Sequence, residues 1–164
     1  ARIAPVAQSH HVPDFVRDFA EDAAALAQDQ RAHFVLGSVA PGRLRGEPTL
    51  LRQLLLNLAT NALSFTPEGG VVELSATRQE AGWVLTVTDE GPGLPPEQLE
   101  RVFERFVRLE TAENRSRARG HGLGLAICRT IARMHGGSIR CERRPDRPGL
   151  RVVVLIPDSK ASDA

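Results

Sequence analysis

Gly120-His-Gly-Leu-Gly-Leu-Ala126 is the stretch from which the rest of this chain can be read. Its three glycines, at every second position, stand directly before an apolar-periodic run of Leu123, Leu125, Ala126, Ile127, Ile131 and Ala132. Glycine has no Cβ, so backbone N–H groups can come into contact with a ligand there. A helix starting behind them adds unpaired amides and the positive end of its dipole. Together these parts seat an anion, most often a phosphate. Taken alone, the run is equally that of a plain loop-to-helix joint.

Downstream, the helical pattern over residues 122–135 stops at Gly136-Gly137, a common helix end. Residues 138–143 and 151–156 then read as two strands around a turn at 145–149. Upstream, residues 108–119 are polar, arginine-rich and aperiodic, which reads as a mobile loop. A short helical piece spans 99–106, preceded by a glycine/proline loop at 91–96. Residues 71–77 and 83–89 alternate as strands. Before them runs a strong helix over 48–65, with proline in its first turn and Leu51, Leu54, Leu55, Leu58 and Ala62 on one face. Residues 33–39 read as a strand, followed by a turn at Pro41 and Gly42; residues 12–30 read as an amphipathic helix. Strands mostly in pairs and few helices predict an α+β fold, with one mixed sheet of about five strands and about three helices on one face.

Composition narrows the function classes. The 164 residues suit one domain, expected over 1–157, with a frayed tail over 158–164. Aromatic residues make up only 4%, so Leu, Val, Ile and Ala must build the core. A net charge of +1 gives no field to draw in nucleic acid or a membrane surface. Cys128 and Cys141 match neither metal spacing nor a disulfide framework, and read as small buried hydrophobes in a reducing compartment. No apolar run approaches a membrane span and no signal peptide is visible. The segment is expected in the cytoplasm, whether or not the full-length protein is anchored to a membrane.

Asn57 and Asn61 stand four apart, so on a helix they lie about 40° apart on one face. They sit at the edge of the apolar stripe, beside Leu54 and Phe65, where a helix can line a cleft. Amide oxygens suit a hard cation such as Mg²⁺, which also takes phosphate oxygens; the plainer reading is a solvated or capping pair. Asp89-Glu-Gly-Pro-Gly-Leu94 follows a strand. A carboxylate at a strand end followed by Gly91 and Gly93 lets a flat ligand approach while one acceptor takes its amino group, as adenine offers; it is also a common turn composition. Phe103 and Phe106 would anchor the base of the polar loop, and Arg105 or Arg108 would meet phosphate oxygens.

In this order, Asn57-x-x-x-Asn61-Ala, Asp89-x-Gly-x-Gly-Leu, Phe103-x-x-Phe106 and Gly120-x-Gly-Leu-Gly-Leu resemble the asparagine, first glycine, phenylalanine and second glycine boxes of sensor histidine kinases. The catalytic ATP-binding domain of those kinases shares a superfamily with DNA gyrase, the ninety-kilodalton heat-shock chaperones and MutL. The resemblance covers roughly residues 12–157. It implies a two-layer α/β sandwich holding ATP and Mg²⁺ under a flexible lid, here about residues 107–119. Asn57 and Asn61 would hold the metal and phosphates, Asp89 the adenine amino group, and Gly91 and Gly93 would admit the ring against Phe65. Gly120, Gly122, Leu123 and Gly124 would cradle the phosphates, and Arg105 and Arg108 would face the γ-phosphate as the catalytic cations.

Two departures stand out. Ser64 occupies a position where relatives commonly carry lysine, and Glu47 one where they often carry aspartate. His135 reads as a structural residue at a helix end. The acceptor-histidine box of such kinases is missing, and His10-His11 does not match it. The implied partner is therefore a dimerisation and phosphoacceptor domain outside this segment, and through it a response regulator. An ATPase or a nucleotide-sensing module of the same superfamily is the alternative. Hydrolysing relatives place a glutamate where Asn57 stands, and an amide cannot act as a base.

Overall fold

The structure, a computed structural model, describes residues 7–104 and 124–158. In chain order these form β1 (Gln8–His11), α1 (Val12–Asp29), β2 (His33–Val39), β3 (Arg43–Gly46) and α2 (Pro48–Phe65). There follow β4 (Val71–Gln79), β5 (Gly82–Thr88), α3 (Gly124–Met134), β6 (Ser138–Arg143) and β7 (Leu150–Pro157). Two short 3-10 turns, Pro96–Gln98 and Arg101–Phe103, take the place of the single helical piece expected over 99–106. The 105–106 end of that piece, the expected lid at 107–119 and tail residues 159–164 lie outside the described residues.

Five strands form one mixed sheet in the order β2-β4-β5-β7-β6, with β2 parallel to β4 and the other neighbours antiparallel. Side chains alternate across a strand, so register decides which residues share a face. Leu74 pairs with Val87 and Val87 with Val152; Ala76 pairs with Leu85 and Leu85 with Val154. All of these are buried, together with Trp83 and Ile156, which pair one step further along. The opposite face carries a polar row across four strands, Glu73, Thr88, Arg151 and Glu142. The mixed sheet and the three helices match the α+β expectation.

The helices cover the apolar face with stripes at helical spacing. In α1 these are Val12, Val16, Phe19, Ala23 and Ala27, with Phe19 edge-on to Phe34 at 5.9 Å between ring centroids. Leu51, Leu54, Leu55, Leu58, Ala59 and Ala62 serve α2, and Leu125, Cys128, Ile131 and Ala132 serve α3. Both cysteines are buried, and burial pushes the Cys141 thiol up to about 12 and the Cys128 thiol higher still. Both therefore stay protonated, as the sequence reading of small hydrophobes requires.

A second sheet was not legible beforehand. Antiparallel β1 and β3 make a two-stranded ribbon, with Gln8 opposite Gly46 and His11 opposite Arg43. It is fastened to the main sheet by the Trp83 indole, whose Nε1–H donates to the Arg43 carbonyl at 2.9 Å.

The stop after α3 has a definite geometry. Gly136 takes φ +78°, its N–H donates to the Arg133 carbonyl at 2.9 Å and the Gly137 N–H donates to the Ala132 carbonyl at 2.8 Å. That is the two-bond glycine cap of a helix C-terminus. A Cβ on Gly137 would overlap the Leu155 carbonyl of the interior strand β7. Gly137→Ala should therefore cost more than about 2 kcal/mol in a urea melt, while Ser138→Ala at the exposed neighbour stays within about 0.5. Equal effects would contradict this packing.

Candidate functional site

Helix α2 is started by Glu47, whose carboxylate accepts from the Thr49 N–H at 3.0 Å and the Leu50 N–H at 3.1 Å. This is the usual work of an N-cap side chain, so glutamate performs it here in place of the shorter aspartate. Two turns on, Leu54, Asn61 and Phe65 follow one another along a single stripe, with Asn57 beside it. Asn61 is buried. Among the described residues neither asparagine side chain has a hydrogen-bond partner. Asparagine is a poor helix former, so a pair of them at the rim of the core stands out against the leucine stripe. The Ser64 hydroxyl, by contrast, is committed: it is buried and donates to the Asn61 carbonyl at 2.7 Å.

Helix α3 lies antiparallel to α2. At its end His135 is buried against the α2 cap, with Nε2 accepting the Glu47 N–H at 3.2 Å and Nδ1 donating to the Ile131 carbonyl at 2.9 Å. Both bonds together require the neutral ring with its proton on Nδ1. Seven residues earlier in α3, the Cys128 thiol reaches the carbonyl of Leu54, seven residues later in α2. The two helices thus keep step. Four more residues bring Gly124, the first of α3, level with Leu58, between Asn57 and Asn61. The first described turn of α3 is thus level, along the helix axes, with Asn57 and Asn61. Among the described residues, nothing would lie within 4 Å of a Cβ on Gly124.

The third wall comes from the end of β5. Asp89 is 3% exposed. Its Oδ1 accepts the Gly91 N–H at 2.9 Å and the Leu150 N–H at 3.0 Å, and its backbone carbonyl accepts from Arg144 Nη1 at 2.8 Å. Burial pushes the Asp89 carboxyl up to about 6, against the two N–H donors, which favour the charged form. No partner for Oδ2 exists among the described residues. Gly91 has no room for a side chain because a Cβ would stand 2.7 Å from the Phe65 carbonyl. The Asp89 loop is thus pressed onto the end of α2, and Gly93, at φ +78°, turns the chain away. Thr66 and Glu90 fasten the junction: the Glu90 N–H donates to Thr66 Oγ1 at 3.3 Å, and Glu90 Oε1 accepts the Val71 N–H at 2.8 Å.

Of the residues picked out from the sequence, Asn57, Asn61 and Phe65 share α2, and Gly91 packs on Phe65 and is held by Asp89. Gly93 and Gly124 are described but make no established contact with α2. Phe103 is buried beneath the Arg129 guanidinium of α3, 5.7 Å from the ring centroid. Arg105, Phe106, Arg108, Gly120, Gly122 and Leu123 lie outside the described residues. Sequence reading gave no role to Leu150, Arg144 or Thr66, whose partners are distant in the chain or at a helix end and leave no local pattern.

Residues 46–160 match the family described as histidine kinase-, DNA gyrase B- and HSP90-like ATPases. The chain is 45% identical over 108 residues to the sensor-like histidine kinase SenX3 of Mycobacterium tuberculosis, covering 65% of this chain and 26% of that protein. It thus spans about a quarter of the length of the curated relatives it matches. Among solved structures, full-length ShkA in complex with AMPPNP aligns over 98% of this chain and 33% of its own, at TM-score 0.81 and 29% identity. The mycobacterial sensor histidine kinase MprB aligns over 93% and 97%, at TM-score 0.74 and 28% identity.

The raised Asp89 carboxyl fixes the sign of a pH effect. Between its ordinary value of 3.8 and about 6 the folded chain holds a proton that the unfolded chain has released. This contribution to stability is present below that window and is lost as pH rises through it. Asp89→Asn keeps the Oδ1 acceptor and removes the buried charge. It should flatten the pH dependence of urea unfolding between 4 and 6 and raise stability at pH 7.5 by about 2–3 kcal/mol. A variant less stable than the parent at pH 7.5, with the slope unchanged, would contradict the assignment.

Proposed function

Because this chain belongs to the family of histidine kinase-, DNA gyrase B- and HSP90-like ATPases, we propose that it is the ATP-binding catalytic domain of a two-component sensor histidine kinase. The domain extends over residues 1–157, since α1 and β2, which precede the family match, share one core with it. We place it in the cytoplasm, where ATP is supplied; no described helix is long and apolar enough to cross a membrane.

The observation that carries the reading is a pair of asparagine amides with no side-chain partner among the described residues, level along α2 with the first described turn of α3. The donor set fits magnesium nucleotide: neutral amide oxygens add no charge against a triphosphate, and Mg²⁺ would neutralise part of the phosphate charge. Asn57 and Asn61 would hold that ion and the phosphate oxygens. The Gly124 end of α3, with Gly120, Gly122 and Leu123 before it, would supply N–H donors to the phosphates. At the other end of the stripe Asp89 Oδ2 would accept the adenine amino group, with Phe65 against the ring and Gly91 and Gly93 leaving it room. Adenine binding favours the ionised Asp89, which repays part of the cost of burying it. Arg105 and Arg108 would face the γ-phosphate.

With nucleotide so held, a histidine on the dimerisation and phosphoacceptor domain would attack the γ-phosphorus in line. This chain contributes positioning and charge neutralisation. Neither Asn57 nor Asn61 has a basic atom to activate water, which favours transfer to a partner over hydrolysis. A response regulator then receives the phosphoryl group from that histidine. Incubation with the helical acceptor domain of the same protein and γ-labelled ATP should give acid-labile, base-stable phosphate on that domain. Tight nucleotide binding with no transfer would instead mark the chain as a nucleotide-sensing module.

A further inference from the structure

Near Asp89, the β6–β7 turn and the loop after Asp89 border an open cavity of about 310 Å³. Its lining includes Pro92 and Gly93 on one side and Arg143, Arg144, Arg147 and Gly149 on the other. Three guanidinium groups thus border one small space. Two carboxylates lie against one of them: Arg147 Nη1 is 3.4 Å from Glu90 Oε2 and Arg147 Nε 3.9 Å from Asp146 Oδ2. Arg143 has no ion pair among the described residues. Arg144 spends Nη1 on the Asp89 carbonyl, while its Nε is buried with no hydrogen-bond partner among the described residues.

A buried N–H of a permanently charged group without an acceptor is costly, and a positively charged cavity wall concentrates anions. We propose that this cavity is a binding site for a small multivalent oxyanion, bearing phosphoryl or carboxylate groups, with Arg143 and Arg144 as its principal ligands. Planar guanidinium forks suit both groups. The site shares Gly93 with the loop that would admit adenine, but none of its arginines belongs to the α2 stripe. Its link to that stripe is the Arg144–Asp89 bond.

The test is titration of the whole ¹⁵N-labelled chain, without nucleotide, with inorganic pyrophosphate and separately with citrate. Arginine Nε–H signals are followed, with Arg144 assigned through Arg144→Lys. The Arg144 Nε–H resonance should move with a Kd below about 1 mM for at least one probe. The tighter probe identifies phosphoryl or carboxylate as the preferred group. The double variant Arg143→Gln/Arg147→Gln, which changes two side chains at the cavity mouth and leaves the Asp89 contact in place, should weaken binding at least tenfold. Three results would overturn the proposal: no movement at about 10 mM of either probe, equal binding by the double variant, or shifts centred on Gly124 with Arg144 unmoved, which would put the anion at the start of α3.

Discussion

The site depends on the seating of α3 against α2, and that seating is set by one imidazole. His135 bridges the last turn of α3 and the first N–H of the α2 cap, so the C-terminal end of one helix is tied to the N-terminal end of the other. Antiparallel helices of fixed rise then have no freedom left in register. The Cys128–Leu54 contact shows that the step is kept. From it follows that Gly124, more than ten residues from the tie, stands level with Asn57 and Asn61 along the helix axes. The glycine cap at Gly136-Gly137 supports the same arrangement by turning the chain at once into β6.

A second constraint acts at the opposite end of the stripe. Asp89 is buried at a strand end by contacts from Gly91, Leu150 and Arg144, and none of these removes the cost of desolvating its charge. A protein selected for stability alone would carry asparagine there. Under the proposed reading the carboxylate is retained as a binding group, with Oδ1 held so that Oδ2 keeps one direction. The pressing of Gly91 onto Phe65 joins this wall to α2, so the two ends of the stripe belong to one rigid frame.

Much of this frame was legible in the sequence because it is local. The proline start and leucine stripe of α2, the alternation of β4 and β5 and the double glycine after α3 each write a short-range period or stop. The asparagine pair, Asp89 and the glycines could be read because their spacing within one element is itself the signal. The β1–β3 ribbon was missed because each strand has four residues, mostly exposed, and their pairing closes a separation of more than thirty residues. Arg144 and Leu150 were missed for the same reason: they meet Asp89 across the sheet. His135 was read as a helix-end residue, and it is one, but its hold on Glu47 follows only from the packing of the two helices.

The central claim is that Asn57, Asn61 and the start of α3 form one seat for the metal and phosphates of a nucleotide. Its most direct test is to replace Mg²⁺ by paramagnetic Mn²⁺, add ATP, and record the amide spectrum of the labelled chain. The account predicts that the side-chain amides of Asn57 and Asn61 and the backbone amide of Gly124 broaden first, and only when nucleotide is present. Broadening centred elsewhere, with these three signals still sharp, would contradict it.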